Sequence, residues 1–129
     1  QEFVPYGVWD TADGYLAVVV VADHHWKQLC TVIGREDLAD DERFATGPAR
    51  IENREAIDDL LTEVLAEATA EEWFERFREG QVPAAPILDT EEVWADEHVS
   101  QRDLQTTVQD GDHEVPAIRY PVEFDGVDR

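Results

Sequence analysis

Methionine is absent from this sequence, lysine and cysteine occur once each, and no apolar run is long enough to span a membrane. A translation product begins with Met, so a chain that starts at Gln1 and holds no Met is expected to have lost residues at its N-terminus. Cys30 on its own forms neither an internal disulfide nor a zinc site, which fits a reducing compartment and a cytoplasmic location. A membrane helix needs about 18 consecutive apolar residues, and no basic-then-apolar leader marks a signal peptide. Lys27 is the single lysine among 10 basic residues, against 31 acidic ones, for a net charge of −21. Clustered Lys and Arg bind phosphate backbones and anionic membranes. Neither nucleic acid nor a membrane is therefore an expected partner. No glycine-rich phosphate loop occurs, and the only serine, Ser100, lacks a nucleophile-elbow setting.

What is there is enough for one folded domain. The chain has 129 residues, 43% of them hydrophobic, so a core is possible and disorder is not expected. The carboxylates are spread along amphipathic segments, as on the wet faces of a folded domain. Charge of one sign repels itself in a compact state, and salt near 1 M shortens the screening length to about 3 Å. A halophilic source is therefore expected.

Tyr15–Ala22 stands out as eight uncharged residues with four consecutive valines. Such a run fits a strand covered on both faces, and four β-branched residues disfavour helix. Val8–Thr11 and Tyr15–Ala22 read as a hairpin, with Ala12-Asp13-Gly14 near its turn. One face should lie under helices carrying Trp26, Leu60 and Trp73; the other is left with few apolar segments of this chain to cover it. Asp23 is the expected N-cap of a helix over His24–Ile33, whose Trp26, Leu29, Cys30 and Ile33 share one face, and Gly34 is its C′ residue. Arg35–Gly47 is a polar connector anchored by Leu38 and Phe44. Pro48 suits the first turn of one long helix with Ile57, Leu60, Leu61, Val64, Leu65 and Ala68 inside. Acidic residues, with Arg50 and Arg54, fill its wet side. Thr69–Glu72 has capping-box form and starts a helix with Trp73, Phe74 and Phe77 on its core face, ended by Gly80. Val82–Leu88 is extended or a short edge strand. Asp89 and Thr90 open a short helix carrying Val93 and Trp94. Leu104–Val108 and Glu114–Ile118 are strands around the Asp110-Gly111-Asp112 turn, and Pro121 leads to a polar end. This order gives a small α+β domain, 1–129, with two hairpins and about three main helices.

Few residues offer chemistry. His24 and His25 are adjacent, so on a helix they diverge and read as solvent-exposed. Asp110–Glu114 resembles part of a metal loop but lacks the other EF-hand ligands; a turn explains it, and no metal site is expected. Glu71-Glu72 and Asp89–Glu92 sit at helix N-termini, where capping and the dipole favour carboxylates. Cys30, on an apolar stripe, reads as a buried structural thiol.

The motifs taken in order resemble the small domain of the family III CoA-transferases, which include formyl-CoA transferase, carnitine CoA-transferases and α-methylacyl-CoA racemase. The resemblance starts with Pro5-Tyr6 and the Thr11–Gly14 turn before an apolar strand, then Trp26, Leu29-Cys30 and Gly34. Leu38-Ala39-Asp40-Asp41-Glu42-Arg43-Phe44 is similar to the family's Leu-x-x-Asp-Pro-Arg-Phe, with Glu42 where proline is common. Arg50-x-x-Asn53, Thr69-x-x-Glu72-Trp73 and Val82-Pro83-Ala84-Ala85-Pro86 follow, and Gly111, Pro116 and Pro121 fit the closing hairpin. It covers roughly Pro5 to Phe124.

The resemblance implies that this is the small domain of an acyl-CoA enzyme, a transferase or a racemase. Its partners would be a CoA-binding domain outside this chain and a second subunit in an interlocked homodimer. The transferases use a large-domain aspartate as covalent nucleophile, and the racemases a His/Asp pair. No catalytic residue is thus carried over, and no cofactor is expected on this chain, a CoA thioester being the substrate of the whole enzyme. Pro5, Tyr6 and Trp9 are the candidate wall of the acyl pocket. A free-standing binding or assembly module without chemistry is the rival reading.

Overall fold

The valine-rich run becomes the middle strand of a three-stranded antiparallel sheet. In the computed structural model, which describes residues 2–101 and 105–118, strand β1 (Tyr6–Asp10) pairs with β2 (Tyr15–Val19), and β3 (Ala84–Ile87) lies on the other edge of β2. Both strands of the hairpin are shorter than, or displaced from, their expected spans. The Val20 N–H still donates to the Pro5 carbonyl at 2.9 Å, but Pro5 has no N–H to return, so the ladder stops there. At the turn the Thr11 N–H reaches the Gly14 carbonyl. The Asp13 carboxylate accepts from the Ala70 N–H at 2.8 Å, tying the hairpin to the start of a later helix.

Alternation along β2 replaces the expected double cover. Leu16, Val18 and Val20 are buried, and at roughly 1.5–3 kcal/mol each they contribute heavily to the core. The opposite face of the sheet is open: Tyr6 and Val8 from β1, Tyr15 from β2 and Ile87 from β3 are all exposed there.

Helix α1 (Asp23–Val32) buries Trp26, Leu29 and Cys30. Its N-cap is Ala22, not Asp23: the Ala22 carbonyl already accepts from the His25 and Trp26 N–H groups, and the Asp23 carboxylate is engaged by Arg50. Gly34 takes the left-handed conformation, φ +71°, that favours glycine after a helix. A single 3-10 turn, Glu36–Leu38, follows, and the Trp26 indole N–H donates to the Leu38 carbonyl at 3.2 Å. Leu38 and Phe44 are buried anchors as expected.

The single long helix expected after Pro48 is two helices, α2 (Gly47–Glu52) and α3 (Arg54–Leu65). Asn53 breaks it: its side-chain amide donates to both the Ala49 and Arg43 carbonyls, and its backbone leaves the helical region. Local side-chain bonding of this kind competes with helix continuation. Helix α4 (Ala70–Glu79) opens on the complete Thr69–Glu72 capping box and buries Trp73 and Phe77. Gly80 ends it under close contact, since a Cβ there would lie 2.2 Å from Val32 Cγ2. Gly80→Ala is therefore expected to lower stability by about 1–3 kcal/mol in urea unfolding; an unchanged midpoint would show that Val32 swings aside freely.

The contacts divide the chain into two units, one up to Ile87 and one from Leu88. The second holds α5 (Thr90–Ala95), opened by an Asp89–Glu92 capping box, then α6 (Glu97–Gln101) and a hairpin of β4 (Gln105–Asp110) and β5 (His113–Ile118). Leu104 and Pro121 lie outside the described residues. Fold class is α+β, with a hairpin near each end.

Candidate functional site

The segment Val4–Trp9 is held from beneath by a buried cation. Arg50 is only 2% exposed. Its Nε donates to the Val4 carbonyl, Nη1 to the Phe44 carbonyl and Nη2 to Asp23 Oδ1, each at 2.9 Å. The guanidinium also lies 5.8 Å from the Trp26 ring centroid. Placing Arg50 on the wet side is thus corrected. Asn53 breaks the helix between Arg50 and Ile57, so their seven-residue spacing defines no shared face, and the Val4 and Phe44 carbonyls that hold Arg50 are not signalled by the local pattern.

The three sequence-predicted wall residues present themselves differently. Pro5 is fully buried, Trp9 is 9% exposed, and Tyr6 is 65% exposed. The Trp9 ring lies under Gly7, where an added Cβ would stand 3.2 Å from it. All three border one groove of about 340 Å³, whose far side is built by Arg54, Asp58 and Thr62 of α3. A second groove, about 420 Å³, lies between Phe3, Tyr6 and Arg54, the last paired with Glu2. Tyr6 and Arg54 are common to both, and of the three candidate wall residues Tyr6 is the one whose ring is exposed.

The remaining candidates are used structurally or stand apart. The His24 and His25 rings are 4.1 Å apart, and burial, then the neighbouring His24, pushes the pKa of His25 down. Glu72 and Glu92 return bonds to the backbone N–H groups of Thr69 and Asp89, completing caps. Asp110 and His113 pair across the tip of the β4–β5 hairpin, and Glu114 accepts from Gln109. Among the described residues, no cluster of three or more His, Cys, Asp or Glu is placed to hold a metal. Among them too, no helix is long and apolar enough to cross a membrane.

Burial drives the Cys30 thiol up to about 12, with Asp37 adding to the effect. A thiol raised in the folded state contributes stability that is present below its unfolded pKa of about 8.5 and lost as pH climbs toward 12. Ellman's reagent at pH 8 is expected to leave Cys30 unmodified while the protein is folded and to label it fully in denaturant; rapid labelling of the native chain would refute the buried-thiol assignment.

Comparison with known proteins covers the whole chain. The model of CoA-transferase family III matches residues 1–129. A succinate–glutarate CoA-transferase of Agrobacterium fabrum is 33% identical over 92% of this chain and 30% of its own length. A succinyl-CoA:mesaconate CoA-transferase of Haloarcula hispanica is 31% identical over 93% of this chain and 30% of its own. Among solved structures, a CAIB/BAIF family protein from Brucella suis superposes with a TM-score of 0.85 at 32% identity, over 98% of this chain and 32% of that one. The chain thus spans about a third of the length of these relatives.

Proposed function

We propose, given that this chain belongs to CoA-transferase family III, that it serves as the small domain of an enzyme that moves CoA between carboxylic acids. The match of the family to all 129 residues carries this reading. No nucleophile is assigned to this chain, so the covalent chemistry belongs to a CoA-binding domain outside it. The contribution of these residues is to shape the acyl side of the pocket, with Tyr6 as the wall and the Arg50-anchored Val4–Pro5 segment fixing its position. The relatives' names specify succinate, glutarate and mesaconate, so short dicarboxylic acids are the first acceptors to try. Transfer is favoured over racemisation because both relatives are named as transferases. The enzyme works as a homodimer in the cytoplasm of a halophile. The net charge of −21 supports the last of these.

The test is Tyr6→Ala in the enzyme expressed from its complete reading frame. The KM for the acyl substrate is expected to rise roughly tenfold, about 1.4 kcal/mol of lost binding, with the fold intact. Unaltered kinetics would remove Tyr6 from the pocket. Titration of CoA into the 129-residue chain is expected to give no tight binding.

A further inference from the structure

Among the described residues, Arg54 is the one cation that lines either groove beside Tyr6. The other described Lys and Arg side chains are buried, paired or stacked elsewhere. The two grooves, about 340 and 420 Å³, fall within the range of about 300–1,000 Å³ usual for small-ligand sites. The first carries Asp10 and Asp58 along its lining, which disfavours an anion there. The second is lined by Phe3, Tyr6, Arg54 and Glu2, with no other acid. Its two rings offer apolar surface beside the guanidinium. That guanidinium already holds a carboxylate: Arg54 Nη2 donates to Glu2, 52 residues earlier in the chain. Both side chains are open to solvent, Arg54 at 43% and Glu2 at 63%. An exposed ion pair of this kind is weak, so a better-placed carboxylate displaces it.

Transfer of CoA to a dicarboxylic acid turns one carboxyl into a thioester and leaves the other ionised. A chain of net charge −21 repels that second charge, except where it presents a cation. A guanidinium fork matches a carboxylate through two parallel hydrogen bonds. We infer that Arg54 selects dicarboxylic acyl groups: its guanidinium binds their far carboxylate, and Glu2 occupies the same place until substrate displaces it. The methylene chain lies against the Phe3 and Tyr6 rings. A monocarboxylic acyl group of the same length gains nothing from Arg54 and leaves its pair with Glu2 intact. This inference rests on the acyl-pocket reading given above and adds to it the residue that sets the class of acid.

The test uses the enzyme expressed from its complete reading frame, with glutarate and monomethyl glutarate as acceptors. The two share one carbon chain, and the ester lacks the far charge. The unsubstituted enzyme is expected to favour glutarate in kcat/KM by roughly tenfold or more, the scale of one charge-assisted hydrogen bond. Arg54→Gln should remove that preference. Glu2→Gln should strengthen it several-fold, because the competing carboxylate is gone. The opposite signs carry the test: if the Arg54–Glu2 pair only held Phe3 and Tyr6 in place, both variants would act alike. Affinity for glutaryl-CoA, whose far carboxylate survives in the thioester, is read by calorimetry without turnover and should follow the same order. Transfer without a preference for glutarate, a preference that Arg54→Gln retains, or a Glu2→Gln variant that loses it overturns the inference and leaves the acyl-transfer reading standing. Glutaryl-CoA bound through Arg54 in an enzyme that transfers no CoA supports the inference and overturns that reading.

Discussion

Arg50→Met is expected to lower the unfolding free energy by about 3–5 kcal/mol, the range for removing one partner of a buried charged network. The side chain is replaced by one of similar reach, so packing is largely kept and the loss comes from hydrogen bonds. The Val4 and Phe44 carbonyls are left without donors, at about 1–3 kcal/mol for each orphaned buried group. The ion pair itself matters less, because the Asp23 side chain is 59% exposed. Asp23→Asn is therefore expected to cost less than about 1 kcal/mol. Arg50→Lys should fall between the two, since an ammonium cannot reproduce the guanidinium fork. Urea midpoints of the three variants decide it. Equal losses for Asp23→Asn and Arg50→Met would mean that the charge pair, not the two carbonyls, holds Val4–Pro5 in place.

The melting temperature is expected to rise by on the order of 10 °C between about 0.1 M and 3 M KCl. A net charge of −21 repels itself most when the chain is compact, and molar salt shortens the screening length to about 3 Å. A gain of roughly 2–3 kcal/mol suffices for the shift in a domain of this size. The repulsion has a visible local source. Glu55, Asp59 and Glu63 are exposed at successive i, i+4 positions on α3, where like charges destabilise a helix. Asp59→Lys should raise the melting temperature at low salt and flatten the salt dependence. A melting temperature indifferent to KCl would sink the halophilic assignment.

What could be read in the sequence was what short-range rules decide. The Thr69–Glu72 and Asp89–Glu92 caps, Gly34 after α1 and the turn at Gly14 each depend on residues within a few positions. The core faces of α1 and α4 followed from periodicity. Long-range partners were hidden. Arg50 is inside because a carbonyl 46 residues earlier needs its Nε, which no local pattern reports. Asn53 ends α2 partly through the Arg43 carbonyl. The apolar run of β2 showed that both its faces are apolar, but not that this chain covers only one. Of the candidate wall Pro5, Tyr6 and Trp9, only the alternation along β1 reveals that Tyr6 faces out and Trp9 faces in.

The proposed role assigns that outward face to the rest of an enzyme, and one measurement addresses this directly. The protein expressed from the complete reading frame that contains these 129 residues should be assayed for transfer of isotopically labelled CoA from an acyl-CoA donor to a carboxylic acid. The predicted result is transfer that requires both the CoA-binding domain and this one. A reading frame that encodes no CoA-binding domain, or a folded full-length protein that moves no CoA to any acid tried, would contradict the account.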